Sequence, residues 1–179
     1  MSGRPAVSGA RTEMLKVTID TNVLINEQTR RLVAQIKQLA EKGLIDIAVT
    51  TRVVADKDQD QDEARKAKHL KEFDRYLKLG AIGRWGFSRW DSGDFYAGEE
   101  HVQVSQQIEK ILFGMIGPND KRAHNKRADV DHLGSHYFAK RDVFITQDDR
   151  MRRKQNVLRE QLGIVVEKPR EFLGRFLGV

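Results

Sequence analysis

Aspartates that follow predicted strands, or lie in the first turns of predicted helices, are the residues of this sequence best suited to chemistry. They are Asp20 after LKVTI, Asp56 in the helix after IDIAVT, Asp129 and Asp131 in RADVDHL, and Asp148 after VFITQ. In parallel α/β sheets ligands bind beyond the carboxyl ends of the strands. We therefore expect Asp20, Asp56, Asp148 and either Asp129 or Asp131 to share a cleft. Capping a helix is the alternative role for Asp20.

A cleft lined by several carboxylates favours one kind of chemistry. Like charges close together repel one another, and a hard divalent cation with oxygen ligands relieves that repulsion. The bound cation lowers the pKa of its water, which can then attack phosphorus in line. The aspartate pattern therefore predicts metal-assisted chemistry on a phosphate ester.

The elements that must position these aspartates follow from the apolar pattern. Short apolar runs predict strands over residues 15–19, 45–49, 143–145 and 164–166. Helical spacing predicts helices over residues 32–40, 67–77, 102–115, 128–139, 151–162 and 169–177, and another beginning near Arg52. Strands alternating with helices are typical of the α/β class with a mostly parallel sheet.

Composition limits the classes of protein that this chain can belong to. Its 179 residues fit one domain over residues 14–179, preceded by a flexible tail or leader over residues 1–13. The absence of cysteine excludes disulfides and thiolate metal sites and fits a cytoplasmic location. The longest apolar run, residues 111–116, is too short to cross a membrane. A net charge of +6 favours a polyanionic partner.

The motifs VTIDTNVLI, RADVDHL and FITQDD, with an acid one turn into the helix after the second strand, resemble those of a PIN domain. The resemblance implies a three-layer α/β/α fold and an endoribonuclease that cleaves single-stranded RNA with Mg²⁺ or Mn²⁺. It implies Asp20, Asp129 and Asp148 as metal ligands, with Asp131 sharing or replacing the role of Asp129. Many such domains are toxins, so a small antitoxin protein becomes a candidate partner, and a homodimer is compatible with the resemblance.

The chain departs from the family pattern at its second acid. The family usually has Glu there, whereas Asp56 is one methylene shorter, so we expect it to reach a metal through water. Thr146 or Asn22 is expected to orient the attacking water. Both remain candidates, because the sequence does not distinguish them.

Basic residues flank the acidic motifs and are candidates to hold the RNA backbone. They are Lys126 and Arg127 before Asp129, and Arg150, Arg152, Arg153 and Lys154 after Asp149. Such clusters bind phosphates without reading sequence. Solvated helix faces are the alternative interpretation.

Several other interpretations stay open at this point. His132 and His136, four residues apart, suit a metal site less well than a place at the surface or at the edge of the core. Trp85 and Trp90, in the aromatic segment 83–98, can stack on bases, contact a partner or fold onto the core. A PIN-like domain that binds RNA or protein without cleavage is the main rival. A haloacid-dehalogenase-like phosphohydrolase is less suitable, because its second Asp would replace Asn22.

Overall fold

The sheet consists of five parallel strands, which places the carboxyl ends of all of them at one edge. The computed structural model describes residues 14–52, 62–80, 98–117 and 119–178. The strands are β1 (Leu15–Ile19), β2 (Ile45–Thr50), β3 (Leu77–Leu79), β4 (Val143–Ile145) and β5 (Val166–Glu167). Their order across the sheet is β3-β2-β1-β4-β5. Each neighbouring pair is parallel, which confirms the predicted fold class.

Helices cover both faces of this sheet. They are α1 (Thr21–Ile25), α2 (Arg30–Glu41), α3 (Glu63–Phe73), α4 (Glu99–Phe113), α5 (Ala123–Phe138), α6 (Asp149–Arg153), α7 (Gln155–Leu162) and α8 (Pro169–Leu177), and a 3-10 turn spans Glu27–Thr29. Apolar side chains of α2 and α8 pack with Val143 and Ile145 in one core. Those of α4, α5 and α7 pack with Phe144 in a second core. Adjacent residues of one strand therefore serve opposite cores, as in a three-layer α/β/α fold.

The helix expected over residues 67–77 is shorter than its apolar stripe suggests. The stripe over residues 67–77 predicted one helix, but α3 ends at Phe73 and Leu77 begins β3. Leu77 pairs with Ala48 of β2, and its side chain is 55% exposed. Pairing with a distant strand therefore decides the conformation of this segment. Because β3 was not expected, Val143–Ile145 is the fourth of the described strands, whereas the sequence suggested that it was the third.

Further boundaries differ from expectation, among them the start of α5, which lies at Ala123 and not at residue 128. The helix over residues 102–115 ends at Phe113, because Gly114 takes a left-handed φ of 78° that ends it, and Met115 is exposed. The helix over residues 151–162 is divided at Lys154 into α6 and α7. The last strand is Val166–Glu167, which begins two residues later and ends one residue later than expected. The helix expected near Arg52, Asp56 within it, and the aromatic segment apart from its last residue lie outside the described residues.

A buried polar cluster connects α5 to β1. His136 is buried, and its Nδ1 lies 2.9 Å from the hydroxyl of Thr18. Arg141 donates to the carbonyl oxygen of Val17 at 2.8 Å and to the carboxylate of Asp46. Burial, reinforced by the charge of Arg141, lowers the pKa of His136 to about 3. His136 is thus neutral in the folded protein at all moderate pH values.

This burial predicts a dependence of stability on pH. Unfolded histidine has a pKa of about 6.5, so between pH 3 and 6.5 the unfolded state binds more protons than the folded state. The contribution of His136 to the free energy of unfolding is therefore fully present above pH 6.5. It is lost as the pH falls, by up to about 1.4 kcal/mol per pH unit. In chemical denaturation between pH 4 and 8, His136→Asn should show a smaller slope of unfolding free energy against pH than wild type.

The control for this measurement is His101→Asn, at a partly exposed histidine that stacks on Phe138. That variant should keep the wild-type slope. Equal slopes for wild type and His136→Asn would contradict the assignment of the buried neutral histidine.

Candidate functional site

The candidate site lies where the chain changes direction across the sheet. The connections after β1 and β4 lead to opposite sides, and such switch points are where parallel sheets bind ligands. The backbone N–H of Asp20 donates to the carbonyl oxygen of Ile145 at 2.9 Å, so the two strand ends are joined. Asp20 and Asp148 follow these strands directly or within three residues.

Thr146 links the two aspartates through its side chain. Its hydroxyl donates to Oδ2 of Asp20 at 2.7 Å and accepts from the backbone N–H of Asp148 at 3.0 Å. Thr146 is fully buried, and Asp20 is 5% exposed. The hydroxyl is therefore occupied with holding the aspartates in position. Of the two residues proposed to orient water, Asn22 is the one that is exposed.

Asp20 and Asp148 also cap short helices. Oδ1 of Asp148 accepts from the N–H groups of Arg150 at 2.6 Å and Met151 at 3.2 Å. Oδ1 of Asp20 lies 3.4 Å from the N–H of Asn22, which is a long contact. Helix capping was proposed as the alternative role of Asp20. Asp20 in fact both caps α1 and lines the site. The capping contacts fix the direction of the Asp148 side chain, whereas that of Asp20 is held mainly by its hydrogen bond with Thr146.

A third carboxylate, from Asp129 in α5, completes the cavity. The cavity has a volume of about 400 Å³. Its walls are formed by residues of β1 and α1, of α5, and of the segment after β4: Asp20, Thr21, Asn22, His124, Asn125, Ala128, Asp129, His132, Asp148 and Arg150. Three of the aspartates expected to share a cleft therefore do line one cavity.

The electrostatics of the cavity are unfavourable for a third negative charge. Burial is the main cause that raises the pKa of Asp129 to about 7, and the charges of Asp148 and Asp20 add to it. His132 and Arg150 act in the opposite direction and do not offset burial. A bound cation would stabilise the ionised form of Asp129.

Asp131, the alternative to Asp129, does not line the cavity. Oδ2 of Asp131 accepts from Nε of Arg52 at 2.9 Å and lies 2.7 Å from Nη2 in an ion pair, and both side chains are buried. Residues two positions apart on a helix point in different directions, so Asp129 and Asp131 cannot face the same space. The structure places Asp131 in an internal ion pair and Asp129 in the cavity.

His132 and His136 of α5 occupy separate environments. The hydroxyl of Thr50 bonds to Nδ1 of His132, whereas His136 contacts Thr18 on the neighbouring strand. Both are buried, so of the two places expected for them, the surface and the edge of the core, the surface is excluded, and His132 also lines the cavity. Each ring nitrogen that faces a threonine is engaged, in keeping with a structural role.

Thr21, His124 and Asn125 line the cavity but were not candidates from the sequence. His124 and Asn125 lie about one turn before Asp129 on the same helix, and that spacing was the available signal. Thr21 lies beside Asp20, and its buried hydroxyl has no hydrogen-bond partner among the described residues. Asp56, the fourth acid of the prediction, lies in the stretch that the structure does not describe.

The basic candidates divide into groups with different surroundings. Arg150 lines the cavity, Arg152 is bound to Glu171 at 2.7 Å and 2.8 Å, and Lys126 is paired with Asp120 at 2.5 Å. Arg153 and Lys154 are exposed, whereas Arg127 is partly buried on α5. Of these candidates, Arg150 is brought into contact with Asp129 and Asp148.

The donor set of the cavity suits a hard divalent cation. Carboxylates and hydroxyl oxygens are the ligands that Mg²⁺ and Mn²⁺ prefer, and the buried unpartnered hydroxyl of Thr21 adds one more oxygen. Within residues 14–52, 62–80, 98–117 and 119–178, no group of three or more His, Asp or Glu side chains forms a ready metal centre. In that part of the chain, no helix is long and apolar enough to cross a membrane.

Comparison with known proteins places the fold. No protein-family model matches the sequence, and no curated protein matches it. Among solved structures, the chain is similar to the crystal structure of VapBC2 from Rickettsia felis bound to a DNA fragment from its promoter. The TM-score is 0.51, with 86% of this chain and 98% of that chain covered at 13% sequence identity. With its five parallel strands flanked by helices, the chain thus has the PIN-like α/β fold that its motifs implied.

Proposed function

We propose that the chain is an endoribonuclease that cleaves single-stranded RNA with Mg²⁺ or Mn²⁺. The observation that carries this proposal is the convergence of Asp20, Asp129 and Asp148 on one cavity at the switch point of the sheet. A nuclease is also the activity that the PIN-like motifs imply. The net charge of +6 supports a polyanionic substrate.

Several residues in and beside the cavity have a definite part in this proposal. Asp20, Asp129 and Asp148 would hold the cation, and Thr146 fixes the carboxylate of Asp20. When bound, the cation would supply a water of lowered pKa and neutralise charge on the leaving oxygen. Asn22, exposed at the cavity wall, is the residue that we assign to water orientation. Asp56 remains a proposed fourth acid that acts through water.

We further propose a protein partner that controls this activity. The similar structure contains VapBC2 bound to promoter DNA, and PIN-like nucleases are often toxins paired with antitoxins. A small antitoxin is therefore the partner to look for, and a homodimer is the assembly to test. Discovery of a small DNA-binding protein encoded beside this chain would support the pairing.

A PIN-like domain that binds RNA or protein without cutting is the second candidate. It is favoured by the lack of a ready metal centre among the described side chains and by the arginine that contacts two of the acids. Cleavage assays separate the two candidates, because the second predicts RNA binding without any metal-dependent product.

Replacing the acids that follow strands tests the activity itself. Asp20→Asn and Asp148→Asn keep the size and the capping oxygen of each side chain but remove one negative charge, so metal should be held less well. We expect metal-dependent cleavage of single-stranded RNA to fall by orders of magnitude while RNA binding persists. Highly purified wild type that cuts no RNA with Mn²⁺ would favour the non-cutting candidate.

Asp56→Ala, assayed in the same way, tests the fourth acid. We expect a modest loss of cleavage, as for a ligand that acts through water. No loss would remove Asp56 from the proposed site.

Metal binding can be measured apart from activity by thermal unfolding. A ligand at a hundredfold excess over its dissociation constant adds about 2.7 kcal/mol of stability, which raises Tm by several degrees in a chain of this size. We expect Mn²⁺ to raise the Tm of wild type but not that of Asp129→Asn.

Asp131→Asn is the matched control for that measurement. It should lower Tm, because breaking a buried ion pair costs about 3–5 kcal/mol, yet it should keep the shift produced by Mn²⁺. A shift that is lost in Asp131→Asn and kept in Asp129→Asn would reverse our assignment of the third acid.

Arg153 and Lys154 are the exposed cations that we expect to hold the RNA backbone. Reversing both to Glu should weaken binding of many RNAs alike and reduce the salt slope of log affinity by up to about two. Lys42 and Lys140 provide the control, since they precede β2 and β4 and lie at the opposite edge of the sheet. An equal loss on reversing that pair would mean that overall charge, not this surface, holds RNA.

A further inference from the structure

Arg150 is the cation that contacts the acids of the cavity. Its Nη1 lies 3.6 Å from Oδ2 of Asp129, and its Nη2 lies 3.7 Å from Oδ2 of Asp148. Neither distance is that of a close hydrogen-bonded ion pair. Arg152, two residues later, binds both oxygens of Glu171 at 2.7 Å and 2.8 Å. Arg150 therefore bridges two carboxylates loosely, whereas Arg152 is fixed to one.

The same guanidinium also lies over an aromatic ring. Cζ of Arg150 lies 5.4 Å from the centre of the Phe113 ring, at the end of α4. The ammonium of Lys126 lies 5.4 Å from the same ring. A cation over an aromatic face is attracted by the electron density of the ring, and this attraction does not require the carboxylates. Phe113 can thus retain Arg150 at the cavity mouth after its contacts with the acids are lost.

The side chain of Arg150 is also free enough to change partners. Its side chain is 40% exposed, compared with 22% for Asp129 and 25% for Asp148. Ion pairs of such exposure contribute little, because water screens them and the long side chain must be ordered. A divalent cation carries twice the charge and binds several oxygens at close range, so it competes effectively for the same carboxylates.

We propose that Arg150 is an internal cation of the acid cavity, which contacts Asp129 and Asp148 before metal binds and offsets part of their negative charge, and which is displaced by the metal to hold the RNA phosphate. This inference rests on the proposed metal-dependent function and adds a positioning residue to it. The guanidinium provides two parallel donors that match a phosphate, and it is already located at the acids. Metal binding thereby releases the arginine that the substrate needs.

The test measures Mn²⁺ affinity and RNA cleavage in the same variants. Arg150→Gln removes the competing charge, so isothermal titration calorimetry should show Mn²⁺ binding at least about fivefold tighter than in wild type. The same variant, at saturating Mn²⁺, should cleave RNA at least about tenfold more slowly, because the phosphate has lost its arginine. Arg150→Lys should keep Mn²⁺ affinity near that of wild type and lose part of the cleavage.

The control is Arg175→Gln, which removes one positive charge from an ion pair with Glu167 outside the acid cavity. It should leave the Mn²⁺ affinity unchanged. A loss of fold would weaken both metal binding and cleavage, so an increase in one with a decrease in the other identifies the proposed role.

Each outcome has a separate meaning. If wild type binds Mn²⁺ and cuts RNA but Arg150→Gln has the same Mn²⁺ affinity, the inference is overturned and the proposed nuclease stands. If Arg150→Gln binds Mn²⁺ more tightly but wild type cuts no RNA, the internal cation is supported and the nuclease is not. If neither protein binds Mn²⁺, both are overturned.

Discussion

The hydrogen bond from Thr146 to Asp20 is the contact on which the arrangement of the site depends. It joins the end of β4 to the end of β1, and the same hydroxyl accepts from the backbone of Asp148. A buried carboxylate is stable only when its oxygens have partners, and this donor supplies one of them. The position of Asp20 is therefore set by the pairing of two strands and not by its own loop.

Much of this arrangement could be predicted from the sequence because it is local. A strand that ends in a polar residue defines where a carboxylate will lie, so Asp20 and Asp148 were identified from runs of apolar residues. Thr146 was also identified, but as a residue that orients water. Its buried hydroxyl instead links the acids, and burial of that kind depends on how two distant strands pair.

The parts that could not be predicted depend on contacts between distant segments. Asp129 and Asp131 lie on one short stretch of helix, and only the packing of α5 shows that the first meets the cavity and the second meets Arg52. Arg150 and Arg152 belong to one basic stretch of sequence, yet Glu171 of α8 binds Arg152 whereas Arg150 reaches the cavity. Leu77 also fits the spacing of a helical apolar stripe, and its pairing with β2 shows that it belongs to a strand.

The packing of adjacent β4 residues into opposite cores has a consequence for how the sequence can change. Val143 and Ile145 pack with α2 and α8, while Phe144 between them packs with α4, α5 and α7. Substitutions with no shared partners combine additively, so each helical layer can be repacked without regard to the other. Residues of the strands lack that freedom, because neighbouring positions pack against opposite helical layers. Helical surfaces can therefore diverge widely in this fold while the strands that carry the acids stay in register.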